Sequence, residues 1–355
     1  MPHLRIVHIL HSHGYGGAEN HAVLMMKGQQ AAGHELMFAG PLDSWIGSAC
    51  ADAGIKALHI GMHGLFDLIS HWKLRQLMLD WQPDIVHGHA IRGAMYAGQA
   101  GKQGRRPLAI CTAHSTDART HMRGCEHIIA VSGAVRDNLI SAQYRSDRIT
   151  VIHNGVPSLA FQHTPEQRAQ LRQELGIPNG VTAVVNPGRF SHEKGQDLLL
   201  QAMAHVPSDV NLYLMGDAST AFGQQVSRMP HDPQRVHFMG YRDDVQQILP
   251  AFDMLALPSR REAISLAVIE AFSASLPVVA AAVGGVPEIV LPEHTGLLVP
   301  PEDPLALAQA ITRMHSQTAW AQQLGKQARQ HYEQHLTTEC MVSQTLALYE
   351  RCLSR

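Results

Sequence analysis

Two glutamates separated by a short apolar segment carry the strongest chemical signal in this sequence of 355 residues. Glu262 and Glu270 are eight positions apart, just over two turns of an α-helix, and only apolar residues and Ser265 lie between them. If a helix begins near Ser265, Glu262 lies in the loop before it and Glu270 lies on its second turn. Burying a carboxylate is costly unless it is hydrogen-bonded, so the pattern favours a polar ligand such as sugar hydroxyls. The alternative is a helix-capping Glu262 and a surface Glu270.

A second segment combines two cations with glycines, in the run Asn186-Pro-Gly-Arg-Phe-Ser-His-Glu-Lys-Gly195. Gly188 follows an apolar strand pattern, and Gly195 precedes a helical one. Arg189 and Lys194 lie between these glycines. Two cations beside a helix N-terminus, where backbone N–H groups are free, form a site for a diphosphate. On its own, the segment is equally well interpreted as a solvent-exposed turn.

The third segment is glycine-rich and follows the first apolar run: His11-Ser-His-Gly-Tyr-Gly-Gly-Ala-Glu19. Glycines between a strand and a helix let the backbone approach a phosphate, although an ordinary tight turn is the alternative. The segment is an incomplete dinucleotide fingerprint. Glu19 stands where the third glycine is required, and no acidic residue ends the second strand at Ala39-Gly40 to bind a ribose. A nicotinamide-dependent oxidoreductase is therefore disfavoured.

The elements that must carry these segments form two successive series. Short β-rich runs alternate with helical patterns over residues 5–153 and again over residues 181–299, and the last 40 or so residues, from Thr318, are helical. A break with two prolines, at 157–165, separates the series. This alternation predicts two parallel sheets with helices on both faces. Such sheets bind ligands beyond the carboxyl ends of their strands, where the three segments lie.

Composition excludes several classes of protein. The chain has 28 Lys+Arg and 30 Asp+Glu, so it lacks the net basic charge of a nucleic-acid binder. Its five cysteines form no Cys-x-x-Cys pair, which favours a reducing compartment. The longest uncharged stretch, residues 271–287, contains Pro277 and two glycines and is too short to span a membrane. We expect a soluble, cytoplasmic protein that does not bind nucleic acid.

In order along the chain, the motifs resemble those of the retaining GT-B glycosyltransferases of family 4, and the resemblance runs from Arg5 to about Arg313. They are Gly16-Gly-Ala-Glu19, Val151-Ile-His-Asn-Gly-Val156, Gly188-Arg189 with Lys194-Gly195, Glu262-x7-Glu270, Gly284-Gly-Val-Pro-Glu288 and Gly296-Leu-Leu-Val-Pro300. The resemblance implies an α/β fold of two Rossmann-like, doubly wound domains that face each other across a cleft. Residues 1–160 would bind the acceptor and residues 161–337 the nucleotide-sugar donor. A C-terminal helix, at about 338–355, would cross back to the first domain.

The resemblance places most of the donor site in the second half. It implies that Arg189 and Lys194 neutralise the donor diphosphate, where charge develops as the glycosidic bond breaks. Glu262 is expected to bond the sugar hydroxyls, and Glu270 the ribose hydroxyls. The sequence departs from the family pattern at Ala263, where the family has glycine. Further donor contacts are expected from Gly17, Gly188, Ser265 and Leu266.

Fewer residues are implied in the first half. His114, after the predicted strand at 108–112, matches the family's histidine near the anomeric carbon of the sugar. The predicted catalytic residues are therefore Glu262, His114, Arg189 and Lys194. Gly16, Gly17 and His13 are expected on the acceptor side, with the Gly17 N–H directed at the phosphate or the incoming acceptor.

The implied reaction is the retaining, metal-independent transfer of a sugar from a nucleoside diphosphate to a hydroxyl group. The nucleotide sugar is a substrate, so no cofactor is expected, and bacterial cell-envelope polysaccharide or lipopolysaccharide synthesis is the implied setting. A GT-B epimerase or phosphorylase is the nearer alternative. A nicotinamide-dependent oxidoreductase and a non-catalytic nucleotide-sugar binding module are the more distant ones.

The 24 histidines do not form a recognisable metal motif. The pairs His11/His13 and His87/His89 lack the helical H-x-x-x-H spacing, and the chain contains no Asp-x-Asp, so we expect no metal. These four histidines are expected near the strand ends of the first half, where mild acidification would charge them.

Two segments of the first half could contact a membrane: the basic run at 101–106 and the apolar segment at 65–72. Up to residue 157 this half has 14 Lys+Arg and 11 Asp+Glu. The resemblance to enzymes that extend lipid-linked sugars suggests a peripheral contact at the inner face of the membrane. A solvated basic turn and an ordinary core helix are the favoured alternative. The expected partners are the nucleotide-sugar donor and a glycan or lipid-linked acceptor.

Overall fold

Each of the two alternating series forms its own parallel sheet in the computed structural model. The structure describes residues 3–64, 66–102, 107–116, 121–158 and 164–354. The chain divides into a first unit, residues 1–157 with 338–355, and a second unit, residues 158–337. The predicted α/β class, with two doubly wound parallel sheets, is confirmed.

Within the described residues, the first unit contains seven strands and the helices that connect them. The strands are β1 (Arg5–Ile9), β2 (Glu35–Gly40), β3 (Lys56–His59), β4 (Ile85–His89), β5 (Leu108–Ala113), β6 (His127–Ala130) and β7 (Ile149–Val151). The helices are α1 (Gly17–Ala31), α2 (Trp45–Asp52), α3 (Leu68–Trp81), α4 (Ala90–Ala100) and α5 (Gly133–Ser141).

In the part of the chain that the structure describes, the second unit contains six strands and a longer helical end. Its helices are α6 (Pro165–Glu174), α7 (Gln196–Met203), α8 (Ala221–Ser227), α9 (Val245–Ile248), α10 (Leu266–Ser273), α11 (Val286–Ile289), α12 (Pro304–Ser316) and α13 (Thr318–His335). Its strands are β8 (Thr182–Pro187), β9 (Val210–Met215), β10 (Val236–Phe238), β11 (Met254–Leu257), β12 (Val278–Ala281) and β13 (Gly296–Val299).

The strand order of both sheets reverses at one position. The first sheet runs β3-β2-β1-β4-β5-β6-β7 and the second β10-β9-β8-β11-β12-β13, with parallel pairing in the described chain. The reversals lie between β1 and β4 and between β8 and β11. Connections leave these neighbouring strands toward opposite sides, which opens a crevice at their carboxyl ends. The chemically distinctive loops follow these strands.

The C-terminal helix α14 (Thr338–Leu353) packs on the first unit, as predicted. Met341, Val342, Leu346 and Tyr349 are buried in the same core as β1 and α1. Gly28 on α1 permits this approach, because a Cβ atom there would lie 2.5 Å from a methyl carbon of Val342.

Two local features differ from the sequence prediction. The edge strand β3 was not predicted, and three of its four residues are exposed, so it lacks a buried apolar pattern. The tail is also not one continuous helical segment, because α13 ends at His335 and α14 begins at Thr338. The Thr338 N–H donates to the Val156 carbonyl at 3.1 Å, which fixes the start of α14 on the first unit.

Candidate functional site

An ion pair lies at the strand-order reversal of the second unit. The Lys194 ammonium donates to Glu262 Oε1 at 2.7 Å, and the Ser259 hydroxyl donates to the same oxygen at 2.8 Å. The Glu262 side chain is only 6% exposed, and that of Lys194 is 26% exposed. Within the described residues, Glu262 Oε2 accepts no hydrogen bond, so this oxygen is available to a ligand hydroxyl.

Two glycines let the loops of this ion pair come together. Gly195 has φ +69°, and a Cβ atom there would lie 2.3 Å from the Pro258 carbonyl oxygen. Gly284 has φ +52°, and a Cβ atom there would lie 1.7 Å from the carbonyl oxygen of Glu262. A side chain at either position would both strain the backbone and displace the neighbouring loop. These glycines therefore set the backbone positions of Lys194 and Glu262.

Arg260 also holds the two loops together, a role that its position in the sequence does not indicate. Its guanidinium donates two bonds of 2.8 Å to the Asp197 carboxylate, one of 2.9 Å to the His192 carbonyl and one of 2.7 Å to Glu302. The Arg260 side chain is 12% exposed, so these bonds are shielded from water. The only sequence signal is a pair of arginines before Glu262, which is indistinguishable from ordinary surface charge.

The other predicted diphosphate-binding residues lie in the same unit. Arg189 is exposed, and its guanidinium has no hydrogen-bond or ion-pair partner among the described residues. The preceding Gly188 has φ +159° and open space around its Cα. Helix α10 begins at Leu266, and Ser265 precedes it with a buried hydroxyl that has no partner within the described chain. The free N–H groups of this helix start can bind an anion.

Glu270 lies on the second turn of α10, as its spacing from Glu262 predicts. Its carboxylate accepts a hydrogen bond of 3.2 Å from the Gln246 amide. Burial raises the pKa of Glu270 to about 7, although the bond from Gln246 lowers it in part. A carboxyl group that is half ionised near neutrality can accept hydrogen bonds from ligand hydroxyls, because binding favours its charged form.

The acceptor-side residues predicted from the sequence lie in the first unit. Helix α1 begins at Gly17, with Gly16 as the preceding residue in extended conformation, so the Gly17 N–H lies at a free helix start. The Glu19 carboxylate lies over Gly16, where a Cβ atom would be 2.9 Å from Glu19 Oε2. The His13 side chain is 58% exposed and lies 3.9 Å from Asp43. None of these contacts tests the acceptor-side roles of Gly16, Gly17 and His13, which stay predictions.

His114, directly after β5, belongs to a group of histidines that sequence spacing did not reveal. Its Nε2 atom lies 3.4 Å from His89 Nδ1, and its ring packs edge-on against His21 at 4.7 Å between centroids. Burial lowers the pKa of His114 well below its ordinary value. The imidazole is therefore neutral at pH 7.

The expectation that His87 and His89 become charged on mild acidification is wrong. Both side chains are fully buried at the end of β4, and burial lowers the pKa of each well below its ordinary value, with further lowering by neighbouring histidines. Burial, followed by the charge of Arg92, also lowers the pKa of His11. Position at a strand end does not indicate exposure when the strand is central.

Helix α3 is a core helix on one face only. Ser70, Leu74, Leu77 and Met78 are buried. The opposite face exposes apolar side chains: Leu68 is 79% exposed, Ile69 70% and Trp72 60%. Phe66, two positions before the helix, is 95% exposed. Leu65 and residues 103–106 of the basic run lie outside the described residues. Among the residues described, we find no helix with the length and apolar character needed to cross a membrane.

Comparison with known families accounts for this arrangement. Residues 182–317 match the family described as Glycosyl transferases group 1, and residues 15–158 match Glycosyltransferase Family 4. The two matches together cover most of both units. The chain belongs to family 4 of the glycosyltransferases, as the resemblance of its motifs predicted.

Individual relatives match over different lengths. The D-inositol 3-phosphate glycosyltransferase of Xylanimonas cellulosilytica is 36% identical over 179 residues, which cover 46% of this chain and 42% of that protein. The N-acetyl-alpha-D-glucosaminyl L-malate synthase of Bacillus anthracis is 24% identical over 302 residues, which cover 80% of this chain and 79% of that protein. The match thus spans less than half of the first relative's length.

Solved structures resemble the whole chain. The crystal structure of HepE from Anabaena in complex with UDP-glucose has a TM-score of 0.87 at 25% identity, covering 98% of this chain and 100% of that one. A glycosyltransferase from Rickettsia africae has a TM-score of 0.88 at 22% identity, covering 100% of both chains. These similarities confirm the predicted GT-B fold class.

Proposed function

We propose that this protein is a retaining glycosyltransferase that transfers a sugar from a nucleoside diphosphate to a hydroxyl acceptor, without a metal ion at the diphosphate. The observation that carries this proposal is the ion pair of Lys194 with Glu262, together with the exposed Arg189 in the same loop as Lys194, whose guanidinium has no partner among the described residues. A carboxylate suited to sugar hydroxyls beside a cation suited to phosphate supports binding of a nucleotide sugar. Family membership supports the same division of roles.

Electrostatic stabilisation of the leaving group is the main task of these residues. As the bond from the anomeric carbon to the phosphate oxygen breaks, negative charge grows on the diphosphate. Arg189, Lys194 and the N–H groups at the start of α10 would bind that charge. The acceptor oxygen bonds to the same face of the anomeric carbon, and its proton passes to the departing phosphate oxygen. The product therefore keeps the anomeric configuration of the donor.

The remaining predicted donor contacts would orient the substrate. Glu262 would accept bonds from sugar hydroxyls through Oε2, and Glu270 would accept bonds from the ribose. Uracil is the first nucleotide base to test in the donor, because HepE was solved with UDP-glucose, with UDP and glucose, and with UDP. We further propose that the acceptor is a cell-envelope glycan or a lipid-linked glycan, since one of the curated relatives is a putative teichuronic acid biosynthesis glycosyltransferase of Bacillus subtilis.

We also propose that the first unit contacts the inner face of the membrane peripherally. The exposed apolar side chains of Leu68, Ile69 and Trp72 support this proposal, because monomeric proteins rarely leave large apolar side chains together in water. Such a contact would bring a lipid-linked acceptor to the enzyme.

A thermal-shift panel of nucleoside-diphosphate sugars tests the donor site. One donor is expected to raise the melting temperature of the wild type, since ligand binding stabilises the native state, and to do so equally with and without EDTA. Glu262→Ala should lose that rise. If no donor raises the melting temperature, the proposed donor site is wrong.

Product analysis by NMR then tests the reaction. Incubation with the donor and a hydroxyl acceptor is expected to give a glycoside with the anomeric configuration of the donor. An inverted product contradicts the retaining mechanism. A free sugar 1-phosphate indicates a phosphorylase instead, and a nucleotide sugar altered at one ring carbon indicates an epimerase.

A further inference from the structure

Five histidines of the first unit meet beside the carboxyl ends of its central strands. We call His8, His21, His87, His89 and His114 the histidine cluster. They come from β1, α1, β4 and the residue after β5, and neighbouring rings lie 4.4 to 5.7 Å apart between centroids. No two of them have metal-ligand spacing on one helix, so the sequence did not predict the cluster.

Hydrogen bonds fix which nitrogens of the cluster are already used. The Gln29 carbonyl oxygen lies 2.7 Å from His8 Nε2, and His8 Nδ1 lies 2.9 Å from His89 Nε2. A carbonyl oxygen only accepts, so His8 Nε2 carries the proton and His8 Nδ1 accepts from His89 Nε2. The Gln29 amide nitrogen donates to the Tyr349 hydroxyl at 3.3 Å, which holds its carbonyl toward His8. His89 Nδ1 therefore carries a lone pair, and its hydrogen-bond partner among the described residues is His114 Nε2, at 3.4 Å.

His87 has no such nitrogen. Its Nδ1 atom is hydrogen-bonded to the Tyr349 hydroxyl, and its Nε2 atom lies 2.7 Å from Thr112 Oγ1. Binding an ion between His8, His87 and His89 would break several of these bonds. That trio is accordingly disfavoured as a ligand set.

The nitrogens without a short hydrogen bond belong to a different trio. His21 is 2% exposed, and neither of its ring nitrogens has a hydrogen-bond partner within 3.5 Å among the described residues, although the Asn154 side chain partly offsets the effect of burial on its pKa. Three ring nitrogens, one each from His21, His89 and His114, all lie within 4.8 Å of one another. His89 Nδ1 and His114 Nε2 are 3.4 Å apart, and metal–nitrogen bonds of about 2.0–2.1 Å place two ligands of a tetrahedral ion roughly that far apart. A buried, unpaired imidazole is costly, and an ion would satisfy it.

The ligands lie at the edge of the core of the first unit. His21 and His89 are buried, whereas His114 is only partly buried. The bonds from His89 through His8 to Gln29 are of the kind that orients metal-binding histidines.

We propose that His21, His89 and His114 form a binding site for Zn²⁺ or a similar first-row transition ion, with the fourth position open to water or a ligand. Three neutral imidazoles are a ligand set that Zn²⁺ accepts. His21, His89 and His114 all belong to the first unit, whereas Arg189 and Lys194 belong to the second. The expectation of no metal was based on the spacing of histidines in the sequence. Such spacing does not reveal a site whose ligands come from separate elements.

Isothermal titration of the metal-free, untagged 355-residue chain with Zn²⁺ tests the site. The wild type is expected to bind one equivalent tightly, and His21→Phe is expected to lower the affinity of that equivalent at least 100-fold. Phenylalanine removes two buried, unpaired nitrogens at similar volume, so this variant should fold, which circular dichroism checks. His205→Ala, which removes an exposed histidine of the second unit, should retain the tight equivalent.

Co²⁺ gives a readout that adventitious surface binding does not reproduce. The wild type should show the intense visible absorption of a tetrahedral ion, and His114→Ala should lose it even if His21→Phe fails to fold. The proposal is overturned if the wild type binds no tight equivalent of Zn²⁺, or if the folded variants bind it as the wild type does. These readouts do not depend on sugar transfer, so they can fail while the proposed function stands.

Discussion

Lys194 and Glu262 are 68 positions apart in the chain, and their side chains form an ion pair of 2.7 Å. Lys194 follows β8, Glu262 follows β11, and these strands are neighbours at the strand-order reversal of the second sheet. The pair joins a cation suited to phosphate with a carboxylate suited to sugar hydroxyls. Loss of either group should therefore affect both parts of donor binding.

Substitution of either member is expected to reduce turnover strongly. Lys194→Ala removes charge stabilisation of the leaving group, and Glu262→Ala removes the contact to the sugar. We expect each to lower kcat/KM at least 100-fold, about 2.7 kcal/mol in the barrier. Initial rates with the donor from the thermal-shift panel measure this. Lys326→Ala, at an exposed lysine, is the matched control and should keep wild-type rates. Near-normal rates in both site variants contradict the assignment.

Variants at the two members of this ion pair should differ in the stability of the folded protein. Lys194→Ala leaves the Glu262 carboxylate, which is 6% exposed, without its cation. Removing one partner of a buried ion pair is strongly destabilising, whereas Glu262→Gln removes the charge and keeps a hydrogen-bonding group. We expect the melting temperature of Lys194→Ala to fall below that of Glu262→Gln. The reverse order would show that Glu262 is well hydrated.

Gly284 is expected to position Glu262 without contacting the substrate. In Gly284→Ala the new methyl group would meet the Glu262 carbonyl oxygen, at 1.7 Å in the present backbone, so the loop must shift. We expect at least a tenfold rise in the donor dissociation constant. Gly240→Ala is the matched control, because Gly240 also has a left-handed φ of +70° but open space around it. An equal loss of donor affinity in the two variants, relative to the wild type, would show that backbone strain, not the displaced loop, is responsible.

Most of the fold could be predicted because its strands are central and apolar. The strands from β8 to β13 carry buried side chains at most positions, and the sequence shows them as short apolar runs. The edge strand β3 escaped prediction because its exposed residues have no pattern that distinguishes a strand from a loop. Parallel pairing and strand order depend on long-range contacts that the sequence does not show directly. They were expected from the resemblance to a known family.

The candidate site was only partly visible in the sequence. Glu262 and Glu270 could be found because both lie within one short segment around the start of α10. The bonds of Arg260 to Asp197 join segments 63 positions apart, so sequence spacing could not reveal them. The histidine cluster was missed for the same reason, since His21 and His114 come from distant segments that the sheet brings together.

Donor affinity is expected to rise with pH near neutrality because of Glu270. Its pKa is about 7 in the free protein, and ribose hydroxyls bond better to the charged carboxylate. The donor dissociation constant should therefore be about tenfold higher at pH 6 than at pH 8. Calorimetric titration across this range, with a nucleotide sugar whose diphosphate does not titrate there, measures the effect. Glu270→Gln should show no such dependence, and an equal dependence in that variant would exclude Glu270 as its source.

The same carboxyl group predicts how the stability of the free protein depends on pH. A raised pKa means that the folded state keeps its proton while the unfolded chain, with a carboxyl pKa near its ordinary value of 4.5, has lost it. Glu270 therefore favours folding below about pH 4.5, and this contribution is lost as pH rises to about 7. The melting temperature of the wild type should fall relative to that of Glu270→Gln over this range. A constant difference between the two would mean that the pKa of Glu270 is not raised.

Membrane contact through α3 is expected to depend on its outward apolar face. Ile69 and Trp72 are 70% and 60% exposed, so a double substitution to glutamate should not disturb the core but should prevent insertion among lipid headgroups. We expect the wild type to co-sediment with anionic phosphatidylglycerol vesicles at low salt and the double variant to lose at least tenfold in binding. Leu305→Glu, at a 54% exposed position of the second unit, is the control and should bind as the wild type does. If the wild type fails to co-sediment at low salt, the exposed face of α3 does not bind membranes.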